Sequence, residues 1–173
     1  MALKIQPTNR EVFFDAREII VSKTDMKGWI TYANDIFAGI SGFTERELLG
    51  QPHSIIRHPD MPRAVFKLLW DTILQGQEIF AYVKNITKTG DHYWVFAHVT
   101  PSFGPNGQII GFHSNRRVPR REAIAAVIPI YADLIHTEAQ HRNGKDALNA
   151  GSAHLLNFVK STHKPYDELV LSF

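Results

Sequence analysis

Residues 78–117, EIFAYVKNITKTGDHYWVFAHVTPSFGPNGQIIGFHSNRR, decide the fold. Three β-prone runs stand here, separated by two turn signals. Glu78–Thr87 and His92–Thr100 are joined by Lys88-Thr89-Gly90-Asp91, and Gln108–Arg116 follows Gly104-Pro105-Asn106-Gly107. Runs joined this way read as a three-strand antiparallel meander. Alternation assigns the faces. Ile79, Ala81 and Val83 share one with Asn85; Tyr93, Val95, Ala97 and Val99 share one; Ile109 and Gly111 share one with His113. These sets are expected to face the core. The small residues Ala81, Ala97 and Gly111 leave space there that something must fill. A buried amide at Asn85 or imidazole at His113 needs hydrogen-bond partners, which a ligand edge bearing N–H and C=O groups would supply. On spacing alone, Asn85 reads as a turn or edge residue ahead of a ligand contact.

Upstream, Ile19–Lys23 and Trp29–Tyr32 are short strand runs across the loop Thr24–Gly28, a hairpin signal. Asn34–Ser41 and Thr44–Leu49 read as short helices, the second with Thr44 and Glu47 as a capping box and Gly50 as its stop. Pro62–Leu74 is the clearest helix, with Pro at its start and Gly76 beyond its end. Two strands, short helices, one longer helix and three strands make an α+β domain: a five-stranded antiparallel sheet with helices grouped on one face. That domain spans residues 19–118. Residues 1–18 form an N-terminal cap with a short helix around Arg10–Arg17. Residues 119–173 read as a helical extension, which Pro129 should kink or split and Asn143-Gly144 should turn. The extension has too little core to stand alone, so it packs on the domain or on a second copy.

The chain has 173 residues and a net charge of +2, too little to argue for nucleic acid. It has no cysteine, which removes disulfides, thiolate catalysis and zinc–thiolate sites. The N-terminus has no apolar signal region and no run of 18 apolar residues occurs, so a cytoplasmic location without a membrane span is expected. The nine histidines fall in no metal-ligand spacing, and no phosphate-binding glycine loop or nucleophile elbow is present. Nothing here suggests serine or cysteine catalysis, and no enzyme is expected.

Five stretches carry a resemblance: ITYANDIF (30–37), SGFTERELLGQPHSIIRHPDMP (41–62), VFKLLWDTILQG (65–76), VKNITKTGDHYWV (83–95) and GFHSNRRVP (111–119). Together they resemble the PAS domain of the bacterial aerotaxis receptor (Aer) family. The HPDMP and VKN…GDHYWV pieces are specific to that subgroup, whereas SGF…ELLG is general to PAS domains.

The resemblance implies a PAS fold around one FAD, reporting redox state to a chemotaxis-type partner, often as a homodimer. It implies flavin contacts at Asn34, Arg57, His58, Asp60, Phe66, Trp70 and Asn85. Arg57, assisted by His58, can hold the FAD pyrophosphate; Phe66 and Trp70 can pack on a ring. Light-sensing LOV domains, which are similar, place a ring-binding Asn at Asn85, a Gln near flavin N5 about where His113 stands, and their reactive Cys about where His53 stands. His113 departs from the aerotaxis pattern, as does Ile79-Phe80, where a Trp is usual. Lys84, Lys88 and Arg116-Arg117 read as solvated faces. Three other readings stay open: a heme-binding gas sensor with an axial His, a small flavin-dependent oxidoreductase, and a ligand-free dimerisation module.

Overall fold

The computed structural model describes residues 5–173. Its five strands are β1 (Ile20–Thr24), β2 (Ile30–Ala33), β3 (Ile79–Ile86), β4 (His92–Phe103) and β5 (Ile109–Arg117), in the order β2-β1-β5-β4-β3. Every neighbouring pair is antiparallel. The β1–β2 turn is built by Asp25, whose carboxylate accepts the Lys27 and Trp29 amides at 2.8 and 2.9 Å. Gly28 supplies the positive φ of 81° that this turn requires.

Between β2 and β3 lie α1 (Asp35–Ser41), α2 (Glu45–Leu48), a 3-10 helix (His53–Ile56) and α3 (Arg63–Leu74). The Thr44–Glu47 capping box forms as its sequence requires. These helices cover one face of the sheet, where Ile20, Phe37, Leu48, Ile56, Tyr93 and Val95 make the buried core.

The extension contains α4 (Arg121–Ala139), α5 (Gly144–Ser161) and α6 (Tyr166–Leu171). It packs on its own chain. Ala123, Ile124 and Val127 of α4, with Val170 of α6, cover Tyr82 and Trp94 on the outer face of the sheet. Leu134 and Leu155 enter the main core. Pro129 does not split α4, because it lies on the exposed side. The carbonyl of Ala125, which its missing N–H leaves free, belongs to an exposed residue.

The helix expected around Arg10–Arg17 does not form. The segment Thr8–Val12, turning at Asn9 with a φ of 61°, instead lies beside the β3–β4 hairpin, where Glu11 bridges His92: the Thr8 amide donates to the Gly90 carbonyl, and the Val12 amide to that of His92, both at 2.8 Å. Asp91 fastens this segment by accepting from Thr8 Oγ1 and from Arg10. These long-range partners outweigh any helical preference of so short a stretch.

Candidate cofactor-binding cavity

A cavity of about 370 Å³ lies between α3, the 3-10 helix and the inner face of the sheet. The volume falls in the range of about 300–1,000 Å³ typical of small-molecule sites. One face of α3 lines it with Phe66, Leu69, Trp70 and Ile73, spaced i, i+3, i+4 and i+7. Val83, Asn85, Ala97 and Val99 form the floor from β3 and β4. Ala97 and the paired Ala81 keep that floor low. Trp70 meets Phe112 edge-on, with ring centroids 5.4 Å apart. It also packs over Gly28, where a Cβ would lie 2.9 Å from the indole.

The polar part of the cavity is short of partners. Asn85 is buried and its Nδ2 has no hydrogen-bond partner. Tyr93, directly opposite on β4, is buried; its hydroxyl stands close to the Asn85 amide but the two make no hydrogen bond of good geometry. Arg116 on β5 is 2% exposed, yet its Nε and Nη1 are unpaired. Its other contacts are a hydrogen bond from Nη2 to Ser22 Oγ and the Phe37 ring, whose centroid lies 4.5 Å from the guanidinium carbon. No carboxylate pairs with it among the described residues. Burial therefore pushes the Arg116 pKa down to about 10. His53 lines the same wall, its Nε2 3.1 Å from Ser22 Oγ. Burial, then the Arg116 charge, holds the His53 pKa down to about 3, so this imidazole is neutral.

The structure brings Arg57, Phe66, Trp70 and Asn85 together around the cavity. The Arg57 guanidinium carbon lies 4.3 Å from the Phe66 ring centroid, and Nη2 donates to the Met61 carbonyl at 3.2 Å. A backbone bridge joins Arg57 to Asn85.

Three expected contacts lie outside the cavity wall. Asn34 caps α1. Its Oδ1 accepts the Phe37 and Val21 amides, both at 3.0 Å, and its Nδ2 donates to Ile19 O at 2.8 Å. Its amide is thus spent on backbone, outside the cavity wall. His58 is fully buried behind the wall; its Nδ1 accepts the Asp60 amide at 3.1 Å. Burial and then Lys84 bring its pKa down to about 4. Asp60 is exposed and pairs with Lys84 at 2.7 Å.

His113 borders the cavity along β5, but its side chain belongs to the other face. It pairs in register with Thr100 and Lys23, and its Nε2 lies 3.2 Å from Asn115 Oδ1. The inward set is Phe112, Ser114 and Arg116, opposite Thr24, Ser22 and Ile20 of β1. Reading Arg116 as solvated is overturned by the same register; only Arg117 is exposed. Lys84 is likewise mostly covered, at 13% side-chain exposure.

With this geometry the comparisons agree. A family model described as PAS fold matches residues 30–116. The chain belongs to the PAS fold family. Its PAS region is similar to the aerotaxis receptor of Escherichia coli (strain K12), 47% identical over 115 residues, which cover 66% of this chain and 22% of the receptor. It is also similar to a nitrogen fixation regulatory protein of Klebsiella pneumoniae, 31% identical over 53% of this chain and 18% of that protein. The chain thus spans about a fifth of the length of these relatives. Among solved structures, the dark structure of the blue-light photoreceptor Aureochrome1 LOV aligns with a TM-score of 0.56 at 20% identity, covering 66% of this chain and 85% of that one. That likeness concerns the fold.

Proposed function

We propose that the PAS cavity holds FAD and that the chain is a redox sensor domain for energy taxis. The observation that carries this reading is the unpaired donor set in the cavity wall. Asn85 Nδ2 and the Nε and Nη1 atoms of Arg116 are buried without acceptors. Each such group costs about 1–3 kcal/mol unless something accepts its hydrogen. The residues therefore fit a flat, acceptor-rich ring, and an isoalloxazine is one. The aromatic and aliphatic side chains of α3 suit its faces, and Arg57 suits a diphosphate. The similarity to an aerotaxis receptor supports the same reading.

Bound FAD would supply a redox centre whose ring-edge hydrogen bonding depends on oxidation state. The chain's own residues do the rest. Asn85 and Arg116 orient the ring by donating to it, and Trp70, packed over Gly28, forms part of its wall. His53, neutral and bonded to Ser22, moves no charge near neutral pH. The signal passes to a chemotaxis-type partner in the cytoplasm, and a homodimer is the expected assembly. No helix among the described residues is long and apolar enough to cross a membrane.

The test is the absorption spectrum of the purified protein before and after dithionite, with chromatography of the heat-released cofactor. The expected result is the two bands of oxidised flavin, bleached on reduction, and release of FAD. A Soret band would replace this reading with a heme sensor, and FMN alone would leave Arg57 without its role. Rapid turnover with NADH would make the protein an oxidoreductase.

A further inference from the structure

Helix α3 forms one wall of the cavity but does not cap itself. Its N-cap residue is Pro62, which offers no side-chain hydrogen bond. The first amides of a helix are left without intrahelical partners and need acceptors from elsewhere. Here they come from the extension. Glu138, in the last turn of α4, accepts the Arg63 amide on Oε2 at 3.0 Å and the Ala64 amide on Oε1 at 2.9 Å. Its residue is only 9% exposed. A carboxylate at this end also complements the helix dipole.

The surroundings hold this carboxylate in place. Gly151 of α5 lies against it: a Cβ there would stand 2.7 Å from Glu138 Cγ and Oε1. Arg63 Nη1 donates to the Gly144 carbonyl at the start of α5, at 3.3 Å. One turn beyond the capped amides, α3 presents Phe66 and then Trp70 to the cavity. Burial lowers the Arg57 pKa, and the charge of Glu138 opposes that effect. The extension therefore meets the start of α3 through a buried carboxylate, beside the packing of α5 along the same helix.

We propose that Glu138 is a latch through which the helical extension reports whether the PAS cavity is filled. A ligand packed on Phe66 and Trp70 fixes α3, and a fixed α3 keeps its first amides aimed at Glu138. An empty cavity lets α3 shift, and the latch with α5 loosens. An anionic group at Arg57 acts in the opposite sense, by competing for that cation. The two hydrogen bonds to backbone are direct, at 3.0 and 2.9 Å, whereas Glu138 makes no hydrogen bond to Arg57, so the effect carried by the helix prevails. Coupling is reciprocal: filling the cavity protects the extension, and breaking the latch weakens retention.

This inference rests on the flavin reading for the identity of the ligand, but the latch itself does not. Backbone hydrogen exchange separates the two. In flavin-free protein, Glu138→Gln should speed exchange at the Arg63 and Ala64 amides and across α5. Adding FAD to the wild type should slow exchange across α5 about tenfold, within the usual range of coupling between sites. In Glu138→Gln the FAD-dependent change should vanish. A residue that merely stabilises the fold would change exchange equally with and without FAD. Gly151→Ala, which displaces the carboxylate without removing it, should reproduce both effects if Glu138→Gln folds poorly.

Unchanged exchange at Arg63 and Ala64 in both variants overturns the latch. FAD binding that leaves α5 exchange unaltered in the wild type overturns the reporting role alone. Failure of FAD to bind at all sinks the flavin reading and takes the reporting role with it, whatever the first arm shows.

Discussion

Replacing Arg116 with Met should have opposite effects on the empty and the filled protein. Without flavin the Arg116 residue is 2% exposed, with Nε and Nη1 unpaired and no carboxylate partner among the described residues. Its pKa, lowered to about 10 from an ordinary 12.5, corresponds to about 3 kcal/mol against the charged form, at about 1.4 kcal/mol per pKa unit. Methionine keeps much of the stem's volume and removes that penalty. It also gives up the bond to Ser22 and the contact with Phe37, together about 2 kcal/mol. The stripped variant should therefore melt at or slightly above the stripped wild type, by up to about 3 °C. In the filled protein a hydrogen bond from a charged donor is lost, worth roughly 1.5–3 kcal/mol, so flavin affinity should fall roughly 10- to 150-fold. Flavin-fluorescence titration gives the affinity, and thermal melts of stripped and loaded protein give the stability. A stripped variant that melts far below wild type while binding flavin equally well would refute the reasoning. Arg116 would then be a structural anchor.

Three further outcomes follow from named groups. Asn85→Ala should leave the fold intact and weaken flavin binding about 10- to 100-fold, since it removes one buried donor worth about 1–3 kcal/mol; titration within twofold of wild type would make Asn85 a purely structural residue. His113→Phe should leave both flavin affinity and midpoint potential unchanged, because the register sets this ring on the far face from the cavity; a shifted potential would contradict that register. Acid should destabilise the flavin-stripped protein below about pH 6.5. His53 stays neutral in the fold down to about 3 and His58 to about 4, so only the unfolded chain takes up these protons as pH falls. Stability is then lost at up to about 1.4 kcal/mol per pH unit for each histidine. Denaturant melts across that window should show a shallower slope in His53→Gln, and an unchanged slope would show that His53 titrates normally.

The sheet was legible because its signals are local. The period of two along β3 and β4 places Val83, Asn85, Val95 and Ala97 inward in the sequence and in the structure alike. The strand β5 was legible as a strand but its facing was not, for a reason its pairing shows. The β4–β5 register shifts between Ser102 and Phe103, just before the hairpin loop. A slip of one residue exchanges the two faces of a strand. Neither alternate set in Ile109–Arg117 is clean: one holds a glycine and a histidine, the other a phenylalanine and an arginine. The large apolar Phe112 was the available signal for the inward set. Asn34 had a signal too, standing immediately before a helical run that opens with Asp35. Capping chemistry accounts for its amide without any ligand. Glu138 had none, since no local pattern can announce a cap supplied from 75 residues away.

The two faces of the sheet are bound into one mechanical unit by the same alternation that builds the cavity. On β4, Val95 and Ala97 look inward while Trp94 and Phe96 meet the aromatic cluster beneath the extension. On β3, Asn85 lines the cavity, and the carbonyls of Tyr82 and Phe80 accept from Tyr131 at 2.6 Å and Tyr166 at 3.0 Å. Those carbonyls lie two residues apart, so they project from one edge of an outermost strand. An open edge of that kind is a site for pairing with another chain. Here the hydroxyls of α4 and α6 occupy it. The extension thus grips the cavity's floor strand from the edge and the back, and its wall helix from the end. A shift of β3 of the size of one hydrogen bond would break a tyrosine contact, and a shift of α3 would break the Glu138 contact. Movement of either cavity wall therefore reaches the same three helices.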